Sequence, residues 1–247
     1  MKRTLLCVVA AATLALTQTP APAADINFTT GITQDQFKSL SREAGVALGY
    51  RNMAPSVSLG VTGFDAGVEL SVMSIDKNST YWNAAFANDA PSYLAVPKIR
   101  VRKGLPFGID VGAVYSYIPD TNINLYGAEL SKSIIEGSAA SPAVGVRATY
   151  TRLVGVDDLA LQMYGVDASV SKGFLFITPY AGAGLMQIRS EAKGQLRTLA
   201  PTLKDETLTV PRYFGGLRLT PFPLFSVTAE AEYADRPIYS FKAAIQF

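Results

Sequence analysis

The sequence predicts an all-β fold, a closed antiparallel transmembrane β-barrel of about 12 strands with a short N-terminal helix. Three observations carry that expectation. From residue 44 to the end, apolar and polar residues alternate with a period of two, the signature of strands with two unlike faces. The apolar face carries Tyr and Phe at strand ends while the polar face carries several charges per strand, which suits lipid outside and water or ion pairs inside. A composition of 49% hydrophobic and 17% charged residues with a single cysteine excludes both a disordered chain and a disulfide scaffold.

In chain order, the first element is a leader. Lys2 and Arg3 precede an apolar run over residues 4–17 and the small-x-small pattern Ala21-Pro22-Ala23, the form of a cleaved signal peptide covering residues 1–23. The run is shorter than the roughly 20 residues that a spanning helix needs. Removing Lys2 and Arg3 from the 22 basic residues leaves them equal in number to the 20 acidic ones, so no basic footprint for nucleic acid remains.

Residues 24–43 form an N-terminal segment in which Thr33 caps a helix running to about residue 44. Phe37, Leu40 and Ala44 fall on one stripe, with Arg42 in the polar remainder. Because the helix precedes the first strand, it is expected to begin on the inner side of the membrane. Phe37, Leu40 and Arg42 are its candidate plug residues, and a clamp on the inner rim is the alternative.

The barrel is assigned residues 44–247. Alternation marks strands over 44–51, 55–62, 64–75, 92–103, 108–118, 121–131, 142–153, 161–172, 174–190, 207–220, 224–233 and 237–247. An even count suits a single-chain barrel. The longest connections, 76–91 and 191–206, both fall on the end opposite the termini, as outer loops should. Tyr50, Tyr115, Tyr117, Tyr150, Tyr233 and Tyr239 are expected near outer strand ends, and Phe64, Phe107, Phe174, Phe222, Phe225 and Phe247 near inner ends, forming two aromatic girdles.

The final strand reads Tyr239-x-Phe241-x-Ala243-x-Ile245-x-Phe247. A leader followed by such a strand resembles the bacterial outer-membrane β-barrel proteins. The resemblance implies an outer-membrane location, surrounding outer-membrane lipid, and recognition of Phe247 as an assembly signal by the outer-membrane assembly machinery.

Turning the polar face inward places Asp65, Glu69, Asp110, Glu129, Asp167, Glu230 and Glu232 in the lumen with Lys98, Arg100, Arg102, Arg147, Arg212, Arg218 and Lys242. Desolvated charges are costly unless paired, so a cross-lumen network is expected. Two roles suit it: stiffening a filled barrel, or selecting a solute between acidic and basic walls, with Lys98, Arg100 and Arg102 as an anion-attracting wall. Tyr81, Trp82 and Phe86 lie in the first outer loop, either as a hydrophobic extracellular mouth or as a loop helix folded over the rim.

The chain has no histidine, which excludes His-dependent triads, His-ligated metals and imidazole relays. The expectation is therefore no enzyme, no cofactor, no metal, and no catalytic residue. The leading functional expectation is a monomeric, narrow passive channel for a small solute with a charged lumen; the alternative is a closed structural or surface-interaction barrel without transport.

Overall fold

In the computed structural model, residues 26–87, 90–118, 123–138 and 140–247 are described; the expected leader at 1–23 lies outside them. Ten strands among the described residues form the wall: β1 Phe64–Ser74, β2 Tyr93–Leu105, β3 Ile109–Tyr117, β4 Asn124–Ile135, β5 Ala143–Val154, β6 Leu159–Ser171, β7 Ile177–Ala192, β8 Glu206–Phe222, β9 Phe225–Ala234 and β10 Arg236–Gln246. Each pairs antiparallel with the next. The sheet closes where β1 pairs with β10, from Asp65↔Gln246 to Met73↔Ile238, so no edge is left unpaired. Among the described residues no helix is long and apolar enough to cross a membrane; the crossing is made by strands.

The wall thus has 10 strands where the sequence predicts about 12, and it begins at Phe64 rather than residue 44. The two strands expected over 44–51 and 55–62 do not exist. Residues 44–48 continue helix α1, Gln34–Leu48, and residues 49–63 run through the lumen as a strap with no partner strand. Alternation misleads here for a physical reason. Any extended chain presents successive side chains to opposite sides, so period two reports two environments and not hydrogen-bonded pairing.

Helix α1 is held at its start by a reciprocal capping box, Thr33 Oγ1 accepting from Gln36 N and Gln36 Oε1 accepting from Thr33 N at 2.8 Å. Its entry lies at the long-loop end of the barrel. Gln34 Nε2 donates to Lys204 O at 3.1 Å and Gln36 Nε2 to Thr80 Oγ1 at 2.6 Å, both in the long β7–β8 and β1–β2 connections. The strap leaves at the opposite, short-turn end, where Phe64 begins β1. The chain therefore threads the whole lumen from outside to inside, the reverse of the entry expected from sequence order.

The outside of the wall matches lipid. Val68, Ile99, Leu130, Val166, Leu185 and Phe241 are exposed, Val166 by 65%, and in water such a belt would be a severe liability. Tyrosines gather at the outer end, with cross-strand ring pairs Tyr115–Tyr126 at 5.0 Å and Tyr150–Tyr164 at 5.1 Å. Phe107, Phe174, Phe222 and Phe247 are exposed at the inner end. Tyr50 breaks the expected girdle, being buried in the lumen beneath the Arg100 guanidinium, 4.4 Å from the ring centre.

Candidate functional site

The lumen has two layers. Its outer half is apolar: inward Met73, Leu125, Leu161, Met163, Met186 and Ile188 pack with Phe37 and Leu40 of α1 in one buried cluster. Its inner half is ionic. All fourteen inward charges named from the sequence, seven acidic and seven basic, are buried inside the barrel.

Most of these charges pair between strands one to three positions apart around the wall. Glu69 receives Arg100 at 2.7 Å and Lys98 at 3.4 Å; Asp65 receives Lys242 at 3.0 Å and Arg218 at 3.5 Å. Glu129 gathers Arg102, Arg100 and Arg147, and Asp110 takes Arg102 at 3.0 Å. Arg212 meets Asp167 at 2.8 Å. Lys98, Arg100 and Arg102, expected to form an anion-attracting wall, each face a carboxylate instead, so acidic and basic surfaces are interleaved and not separated.

Two glycines make the longer pairs geometrically accessible. Asp167 on β6 and Arg212 on β8 lie two strands apart, with Gly184 of β7 in register between them. A Cβ there would collide with Asp167 Oδ1. Gly112 on β3 does the same between Arg102 and Glu129, its hypothetical Cβ meeting both side chains within 3 Å. The signal was present in the sequence as glycine at inward positions, but it acquires meaning only once register is known. Gly184→Val is expected to part the Asp167–Arg212 pair and destabilise the barrel by about 3 kcal/mol or more, as other broken buried pairs do. Denaturant midpoints in detergent measure it, and an unchanged midpoint would refute the bridging role.

The wall cations also grip the strap through its backbone. Five consecutive carbonyls accept from them: Gly49 O from Lys98 at 3.3 Å, Tyr50 O from Arg212 at 2.7 Å, Arg51 O from Arg100 at 2.9 Å, Asn52 O from Arg147 at 2.7 Å and Met53 O from Arg218 at 3.5 Å. Met53 N donates to Glu230 Oε2 at 2.9 Å, which also accepts from Tyr180 Oη at 2.8 Å, and Leu59 N donates to Asp110 Oδ1 at 3.0 Å. This is how a buried segment without secondary structure satisfies its polar groups. Arg51, missed by sequence reasoning because it sits in an expected strand, returns the grip. Its Nη1 lies 2.5 Å from Glu232 Oε1 while Nη2 donates to Val46 O and Ala47 O at the end of α1. A cavity of about 10 Å³, the room of one water, lies between strap and wall beside Ser56, Arg102, Asp110 and Arg147.

The outer end is capped. Helices α2, Thr80–Ala85, and α3, Gly194–Leu199, belong to the two longest loops; Trp82 is buried against α1, and Leu196 is buried in the same apolar cluster. Tyr81, Trp82 and Phe86 therefore do not form an open mouth. Trp82 is 1% exposed and stacks on Phe86 at 5.7 Å, because Glu43 of α1 draws the loop helix inward, accepting from Trp82 Nε1 at 2.7 Å, Tyr81 Oη at 2.9 Å and Arg236 Nε at 2.8 Å. Partial burial and this bond to Glu43 hold the Tyr81 phenol above its ordinary pKa. Of the plug candidates, Phe37 and Leu40 are buried, whereas Arg42 is 40% exposed at its side chain and pairs with Asp235 at 3.5 Å on the outer rim.

A closed sheet with a lipid-matched exterior, buried inward charges and its two longest loops at one end defines the class: an outer-membrane β-barrel protein. No family model and no curated protein matches the sequence. Among solved structures the chain is similar to the N-terminal β-barrel domain of Pseudomonas aeruginosa OprF, at 13% identity over 73% of this chain and 97% of that one, with a TM-score of 0.37. It is also similar to the outer membrane protein OprG from Pseudomonas aeruginosa, at 8% identity over 78% and 99% with a TM-score of 0.36. The KdgM porin matches at 12% identity over 74% and 98%, with a TM-score of 0.34.

Proposed function

We propose that the protein is a sealed barrel that presents a folded, capped outer end at the cell surface, and that it does not pass solute while its strap is in place. The observation that carries this reading is the continuous filling of the lumen by α1 and the strap, with five successive strap carbonyls each occupied by a wall cation. The fourteen inward charges then serve to fasten and stiffen, the first of the two roles their pairing suits. Full-length protein in planar bilayers is expected to give no discrete conductance steps. Regular single-channel steps from the unaltered chain would overturn the reading.

A gated, solute-selective channel keeps one observation in its favour. The sheet closes where β1 pairs with β10, so the strap contributes no strand to the hydrogen-bonded cylinder. The lumen left by its withdrawal would be a narrow charged passage for a small solute. For Phe247 we retain the role of assembly signal. It ends the closing seam, donating to Phe64 O at 3.0 Å, and its ring stands outside the wall.

A further inference from the structure

On the outer surface of the wall, one register row runs Tyr115, Tyr126, Arg152, Gln162, Arg189 and Thr207 across β3 to β8. Every other strand charge in the membrane-facing stretch of these strands points inward, apart from Lys132 near the inner rim and Glu191 at the outer tip of β7. Arg152 and Arg189 are both exposed, and among the described residues neither pairs with a carboxylate. Glu191, one outward step above Arg189, is engaged by Lys193 at 3.4 Å.

The row is organised to donate. Tyr164 Oη donates to Gln162 Oε1 at 2.9 Å, which leaves the Gln162 amide nitrogen as the free end of that side chain. The Arg189 guanidinium lies over the Tyr164 ring, 5.2 Å from its centre. Arg152 and Arg189 stand two strand spacings apart, roughly 10 Å at the backbone, so their long arms can close on a group between them above Gln162. Below the row the wall is apolar at Val146, Val166 and Leu185; the row itself lies roughly 20–30 Å above the inner turns for tilted strands of this length. That is the outer headgroup level, where tyrosines also collect.

We infer that Arg152, Gln162 and Arg189 form a binding site for the phosphate of a phosphorylated outer-leaflet lipid. Two unpaired guanidinium groups and an amide donor match a phosphate with three acceptor oxygens, and the apolar wall beneath takes the acyl chains. A lipid satisfies both parts of the surface at once; a free phosphate would use only the first. The inference is independent of whether the strap seals the lumen.

The test uses full-length protein in a phosphorus-free maltoside detergent, titrated with diphosphorylated lipid A and followed by native mass spectrometry. Unaltered protein is expected to retain the lipid, to retain the fully dephosphorylated lipid A far less, and to be poorly competed by millimolar inorganic phosphate. Arg152→Gln and Arg189→Gln should each weaken retention roughly tenfold, the effect of losing a charge-assisted hydrogen bond, while Lys132→Gln, which removes an outward charge at the other end, leaves it unchanged. All three side chains face outward, and heat-modifiable gel migration verifies that each variant is folded. Equal retention by the arginine variants, equal retention of the dephosphorylated lipid, or full displacement by inorganic phosphate would each overturn the site.

Discussion

Arg100→Ala is expected to destabilise the folded barrel by about 3–5 kcal/mol, the range seen when one partner of a buried ion pair is removed. Arg100 is fully buried and serves four groups at once: Glu69 Oε2 at 2.7 Å, Glu129 Oε2 at 3.3 Å, Arg51 O at 2.9 Å and the face of Tyr50. Truncation leaves Glu69 with Lys98 at 3.4 Å and the Ser71 hydroxyl at 3.2 Å, and strips one of the five cationic holds, the one on Arg51 O, from the strap. The cost comes mainly from uncompensated buried carboxylate, not from the lost attraction itself. Equilibrium unfolding in detergent measures it. Lys132→Ala, on the exposed inner rim, should stay within roughly 0.5 kcal/mol of the parent. A loss below about 1 kcal/mol for Arg100→Ala would show that the network is dispensable to stability.

Arg51→Glu is expected to release the strap and convert a silent barrel into one with discrete conductance steps. Among the described residues, Arg51 is the single cation that the N-terminal segment contributes to the ionic layer. It pairs with Glu232 at 2.5 Å and satisfies the last carbonyls of α1. Reversing its charge sets a second carboxylate against Glu232 and against the negative end of the helix, both repulsive in a low-dielectric interior. The wall is unaltered in sequence and its strand pairing does not include the strap, so withdrawal of the segment is the expected response. Bilayer recordings decide it, and a parallel deletion of residues 34–58 sets the open-state conductance for comparison. A folded Arg51→Glu protein as silent as the parent would mean that the strap stays in place without this anchor.

Much of the wall could be read from residues alone because of one geometric constraint: in a strand the side-chain period is two, so a single correct assignment of lipid-facing residues fixes the direction of every other side chain on that strand. Val68 and Leu70 outward place Asp65, Glu69 and Ser71 inward; the same parity places Arg212 and Arg218 on β8 and Glu230 and Glu232 on β9. Connection lengths identified the two loops that carry α2 and α3. Arg152 and Arg189 were equally visible as charges on the wrong parity, yet they stand on β5 and β7, and only pairing through Gln162 sets them in one row.

Parity says which way a side chain points and nothing about what it meets. Residues 44–62 alternate as well as many strands do, but the ten-stranded wall closes without them, and a cylinder of that width needs filling. Helix α1 and the strap supply it. Which half of the lumen is greasy and which ionic, that Trp82 turns down onto Glu43 instead of out toward a ligand, and that Gly184 and Gly112 open paths for pairs two strands apart all depend on closure. Local pattern specifies the faces of each segment because backbone geometry is local; the occupant of an enclosed space is specified by volume and charge summed over every strand around it.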